Sequence, residues 1–168
     1  MRKIKQQIAA SLNLTESAIG TLKEPVILID KWNKEYEAFD FRVSNEWFKC
    51  RLAKKTPKKK GYFLALWKKN DLNKNMPLQL EDIKGKVIIN IVDENQKGQF
   101  IFTKDILEEK GILATEKHKG KMAFRVYPTW ETELNNTALK TQKWQQDYFV
   151  DLSKKVDKQA IERLYFDK

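Results

Sequence analysis

The chain has 168 residues, of which 41% are hydrophobic and 33% charged; that is enough apolar material for a packed core and excludes wholesale disorder. A formal net charge of +10 points to a polyanionic or acidic partner. One cysteine and one histidine, Cys50 and His118, exclude an internal disulfide and a multi-cysteine zinc site and leave nucleophilic catalysis without an evident base.

Taken in order, residues 2–19 read as an amphipathic helix with Ile4, Ile8 and Leu12 one turn apart and Gly20 at its end. Pro25 introduces a short apolar stretch, Val26 to Ile29. Residues 36–43 alternate, with Phe39, Phe41 and Val43 on one face and Asp40 and Arg42 on the other, and Ser44-Asn45 suits a two-residue hairpin. The return strand is expected over residues 46–54. The β-branched run Val87, Ile88, Ile89, Ile91, Val92 predicts a buried central strand. Lys97-Gly98 is expected to turn the chain into an aromatic strand, and Thr103 to cap a helix that Gly111 ends. A strand over residues 121–127, a helix from Asn136 to about Leu152, and a last helix over residues 154–166 complete the pattern. The polar stretch at residues 70–81 reads as a surface connection. The prediction is one domain of α/β (α+β) class, a mixed β-sheet flanked by helices.

The charge is concentrated. Residues 49–69, KCRLAKKTPKKKGYFLALWKK, hold nine Lys and Arg and no Asp or Glu. Apolar residues alternate before the lysines and run densely after them, so the segment reads as strand, basic loop, strand, with Thr56-Pro57 and Gly61 as punctuation. A lysine loop held between strands suits phosphate neutralisation. The candidate nucleic-acid-binding residues are Arg51, Lys54, Lys55, Thr56, Lys58, Lys59, Lys60, Trp67 and Lys68. Arg125, Lys140 and Lys143 are expected to extend the positive surface. The plainer reading is a solvated loop that aids solubility. Phe63, Leu64 and Leu66 are expected in the core, and Cys50 as a buried thiol.

Catalysis finds little support. No glycine-rich phosphate loop follows a strand. A metal-dependent nuclease needs converging carboxylates. Asp40 and Lys54 suggest such a pair, but the acid two residues before Lys54 is replaced by Leu52, which cannot ligate a metal. Glu37, Asp40 and Glu46 are the acids that would have to converge instead. No metal and no cofactor are therefore expected. No apolar run reaches membrane-spanning length and no signal-peptide core follows Met1, so a cytoplasmic location is expected, with no membrane partner.

Four strings, RLAKKTPKKKGYFLALWKK, KGQFIFTKDILEEKGIL, GKMAFRVYPTW and TALKTQKWQQDYF, together resemble the MepB family of bacterial proteins, with similarity over about residues 36–152. The resemblance implies a cytoplasmic protein with a restriction-endonuclease-like architecture, from a family whose namesake is encoded beside a multidrug efflux transporter and its MarR-type repressor. It places the family block on Arg51, Ala53, Lys54, Thr56, Pro57, Lys58, Lys59 and Gly61. The combined expectation is a nucleic-acid-binding protein, with DNA favoured over RNA, on a nuclease-like scaffold without its metal site. The alternatives are a metal-dependent nuclease and an adaptor that docks an acidic protein through the basic loop.

Overall fold

The computed structural model describes residues 2–22 and 26–168, with side chains from Lys5 onward; Pro25 and the side chain of Ile4 lie outside what is described. In chain order the strands are β1 (Val26–Ile29), β2 (Phe39–Val43), β3 (Glu46–Leu52), β4 (Lys54–Lys55), β5 (Tyr62–Ala65), β6 (Trp67–Lys69), β7 (Asn75–Pro77), β8 (Lys86–Asp93), β9 (Gln96–Phe102), β10 (Ala123–Val126) and β11 (Phe149–Asp151). The helices are α1 (Arg2–Gln7), α2 (Ala9–Ile19), α3 (Lys104–Glu109), α4 (Asn136–Gln145) and α5 (Lys158–Phe166).

The β-branched run forms β8, the centre of a six-stranded mixed sheet of order β1-β2-β3-β8-β9-β11, in which only β3 and β8 run parallel. Period-2 alternation sorts its side chains. Ile88, with Phe39, Phe41, Phe48 and Ile101, packs beneath α2 and α5. Val87, Ile89 and Ile91, with Phe100 and Phe102, face a second sheet of order β10-β5-β4 through Leu64 and Val126. The expected hairpin at Ser44-Asn45 is present, both residues having positive φ (51° and 62°), as a type I′ turn requires. Thr103 caps α3, its Oγ1 accepting from Ile106 N at 3.2 Å.

Four sequence expectations shift. The N-terminal helix divides at Ile8, whose backbone (φ −127°) leaves helical geometry between α1 and α2 and whose side chain is buried. The turn before β9 falls at Glu94-Asn95, and Gly98 lies within the strand. A Cβ there would meet the Phe149 ring at 2.4 Å, so glycine lets the edge strand β11 lie close. The helix expected to reach Leu152 ends at Gln145 because Phe149 to Asp151 pair with β9, with the Phe149 ring tilted against that of Phe100 at 4.6 Å. The last helix starts at Lys158 because Asp157 caps it, accepting from Ala160 N at 3.1 Å. No helix among the described residues is long and apolar enough to cross a membrane.

Tyr165 links α5 to the sheet. It is 1% exposed and donates to Gln99 Oε1 at 2.5 Å, and burial pushes its phenol well above the usual tyrosine range. Burial and the hydrogen bond to Asp93 push Tyr62 up as well. The unfolded chain therefore gives up these protons near pH 10 while the folded protein keeps them. This contribution to stability is complete below about pH 10 and is lost as pH rises above it. Urea unfolding at about pH 8, 9 and 11 should show Tyr165→Phe destabilised by roughly 1–3 kcal/mol at the lowest pH and falling less steeply than wild type above about pH 9.

Candidate nucleic-acid interface

The chain leaves the main sheet at Ala53. Its N–H still donates to Asn90 O at 2.9 Å, but Lys54 pairs with Phe63 in the small sheet. The predicted return strand is thus divided between two sheets, and the lysine loop closes the β4–β5 hairpin. Arg125 holds the loop from across the sheet, donating to Thr56 Oγ1 at 2.7 Å and to Lys60 O at 3.2 Å. Thr56 Oγ1 also donates to Lys59 O at 3.4 Å. Gly61 closes the loop at φ 81°, where a Cβ would strike the Tyr127 ring at 2.7 Å. The loop is therefore shaped before any ligand arrives, which reduces the ordering cost of binding.

Strand register builds a row across the small sheet: Lys54 opposite Phe63, and Phe63 opposite Arg125. Tyr62 and Leu64 point the other way and are buried, so Phe63, expected in the core, lies half-buried on the outward face. Its ring is 6.1 Å from that of Tyr36, the Arg125 guanidinium lies 5.7 Å over Phe63, and Lys54 Nζ lies 5.4 Å over Tyr36. Cations at these distances are attracted to the ring faces.

The structure divides the sequence's basic candidates. Lys54, Lys55, Lys58 and Lys59 are exposed; Lys55 lies 3.7 Å from Asp93 with its side chain 73% exposed. Lys60 folds back to Thr132 O at 2.5 Å and to Glu133. Arg51 does not reach the surface. It is fully buried, donating to Ala65 O, Cys50 O, Asp30 Oδ2 and Asn33 Oδ1 at 2.9–3.2 Å, because alternation on β3 turns it toward the interface between the sheets. Lys68 is held by Asp82 at 2.7 Å and by Gln79 at 3.0 Å. Trp67 is half-buried, with Lys69 Nζ 5.6 Å over its ring.

Two depressions flank the Lys54–Phe63–Arg125 row and meet at Ala123. The first, about 570 Å³, is walled by Trp32, Tyr36, Phe63 and Trp67, with Lys31, Lys34 and Glu35 on its lining. The second, about 240 Å³, has Lys110, Lys121 and Arg125 and no carboxylate on its lining. Helix α4 reaches it through Thr141, Trp144 and Gln145, whereas Lys140 and Lys143 are exposed but do not line it. Gln145 fixes α4 to β10, accepting from Tyr127 N and donating to Arg125 O, each at 2.9 Å. Lys110 and Lys121 were missed in the sequence. The signal for Lys121 was present, since it shares the alternation of Ala123 and Arg125. A further cavity, about 930 Å³, carries Glu81, Asp105, Glu108, Glu109 and Glu116, the wrong sign for a phosphate backbone.

The acids considered for a nuclease do not converge. Glu37 accepts from Ser11 N at 2.9 Å, Asp40 pairs across β2 and β3 with Lys49 at 3.0 Å, and Glu46 is exposed at the hairpin. Leu52 of β3 lies opposite Asn90 of β8, and Asp40 lies opposite Lys49 whereas Lys54 lies opposite Phe63, so Asp40 and Lys54 do not share a rung. Among the described residues no three of His, Cys, Asp and Glu are grouped to hold a metal. Cys50 is fully buried, and burial pushes its thiol well above the usual range, which keeps it unreactive.

A family model described as MepB-like matches residues 30–151. The chain belongs to the MepB-like family. A solved structure titled "Crystal Structure of MepB" is similar to this chain at 44% identity, covers 86% of this chain and 98% of its own, and superposes with a TM-score of 0.78. No curated protein sequence matches it. The MepB-like match spans β2 to β11, and so includes the lysine loop, the small sheet and both depressions.

Proposed function

We propose that this MepB-like protein binds nucleic acid across the outward face of its small sheet. The observation that carries the reading is the row Lys54–Phe63–Arg125 beneath a loop that exposes Lys54, Lys55, Lys58 and Lys59. Lysines neutralise phosphates without reading sequence, and aromatic faces flanked by cations on a sheet serve as stacking platforms. The mixed sheet between helices supports a restriction-endonuclease-like scaffold, and the pairing of Asp40 with Lys49 supports binding without cleavage. DNA is the favoured target, in the cytoplasm, and regulation of multidrug efflux is the setting the family resemblance suggests.

Fluorescence anisotropy with a labelled oligonucleotide over a salt series tests this. Four lysine–phosphate contacts give a slope of about −3 in log K against log salt for a single strand, or roughly 60-fold weaker binding at 200 than at 50 mM. Absence of salt-sensitive binding at low ionic strength would remove the reading. A lysate pull-down that survives nuclease treatment would point instead to an acidic protein on the same loop.

A further inference from the structure

The aromatic groove is lined by a residue with a buried polar atom that the fold leaves unused. Asn33 lines it, is 7% exposed and adopts left-handed backbone (φ 62°). Its Oδ1 accepts from Arg51 Nη2 and from Trp67 N, both at 3.1 Å. Two donors on one atom fix which end of the carboxamide is oxygen. Nδ2 is then the end without a partner among the described residues. Buried donors are almost always satisfied, so an unpartnered one needs a reason. Around it, Trp32, Phe63 and Trp67 are half-buried yet are not among the residues packed into either core cluster.

A flat ligand with an acceptor on its edge answers both features: rings for its faces and a fixed N–H for its edge. We infer that the groove takes an unpaired nucleobase, stacked against these aromatic side chains and accepting a hydrogen bond from Asn33 Nδ2 through a ring carbonyl or ring nitrogen. The inference rests on the nucleic-acid reading and adds the substrate class, a single strand, because a base inside a duplex has both faces stacked and its pairing edge occupied. Lys31 and Lys34, which share the groove's lining with Glu35, and the lysine loop beyond Phe63 are placed for the flanking phosphates. Arg51 is a positioning residue here, since it sets the orientation of Asn33 without reaching the groove.

The test compares three labelled probes with equal strand length of about 15 nucleotides, within the site size of single-strand binders: an oligo-dT, an abasic oligomer with the same phosphates, and oligo-dT paired with oligo-dA. Oligo-dT is expected to bind roughly tenfold or more tightly than either of the others. Asn33→Asp keeps the oxygen that serves Arg51 and Trp67 and removes only the donor. It is expected to weaken oligo-dT roughly fivefold, while the abasic probe weakens no more than it does with Lys34→Gln, which changes the charge equally. Phe63→Leu, on the surface, is expected to give the same base-selective loss and covers the case in which Asn33→Asp fails to fold. Equal binding of all three probes, or equal loss on the dT and abasic probes in both groove variants, would overturn the base pocket and leave phosphate binding standing. Failure of every probe to bind would overturn both.

Discussion

Replacing Lys54, Lys55, Lys58 and Lys59 together by alanine is expected to weaken oligonucleotide binding on the order of 10²-fold at about 100 mM salt, and to remove most of its salt dependence. These four side chains are exposed and carry no core contact, so the thermal midpoint should move little. The comparison that gives this result its meaning is Lys60→Ala with Lys68→Ala. The sequence sets both lysines in the same charged run, yet one is folded onto Thr132 and Glu133 and the other is held by Asp82. Their combined loss should change affinity by less than about threefold, as expected for ammonium groups already held by protein acceptors. Anisotropy titrations at several salt concentrations, with circular dichroism melts of each variant, measure both statements. Equal effects from the two variants would mean that bulk charge, and not this loop, carries binding.

Arg51→Met is expected to be the most damaging single substitution for folding. The guanidinium joins three parts of the molecule: β3 through its own strand, residues 30–33 through Asp30 and Asn33, and the small sheet through Ala65 O. Burial lowers its pKa, and the charge on Asp30 opposes that shift. Removing one partner of a buried pair costs roughly 3–5 kcal/mol, because the other charge is left without compensation, and that is a large part of a typical stability of about 5–15 kcal/mol. Urea unfolding should show the loss as a lowered midpoint. Arg51→Lys should recover little, since a single ammonium cannot span four acceptors held by a planar fork. Asp30→Asn combined with Arg51→Met should recover part of it, and the double-mutant cycle isolates the pair.

Local patterns made much of this fold legible. The β-branched run announced β8, the Ser44-Asn45 pair its hairpin, and Thr103 its helix cap, each because the signal lies within a few residues of the structure it specifies. The basic loop was legible for the same reason. What escaped depends on pairing between distant segments. Alternation over residues 46–54 is the same whether one strand continues or the chain changes sheet at Ala53, and only the distant pairing of Lys54 with Phe63 decides it. That pairing sends Arg51 inward and Phe63 outward, reversing both expectations. Residues 149–151 follow a helix, and their spacing fits a helical face equally well; contact with Gly98 and Phe100 makes them an edge strand. Asn33 gave no sequence signal, because its significance lies in which of its two amide atoms is already occupied.

Photo-crosslinking tests the central claim most directly. An oligonucleotide carrying 4-thiothymidine, irradiated with the protein and mapped by mass spectrometry, reports contacts independently of affinity. Adducts on Tyr36, Phe63 or residues 54–60 are the expected result, with the acidic cavity around Glu108 and Glu116 unlabelled. Adducts confined to other surfaces, with the small-sheet face unlabelled at saturating oligonucleotide, would contradict it.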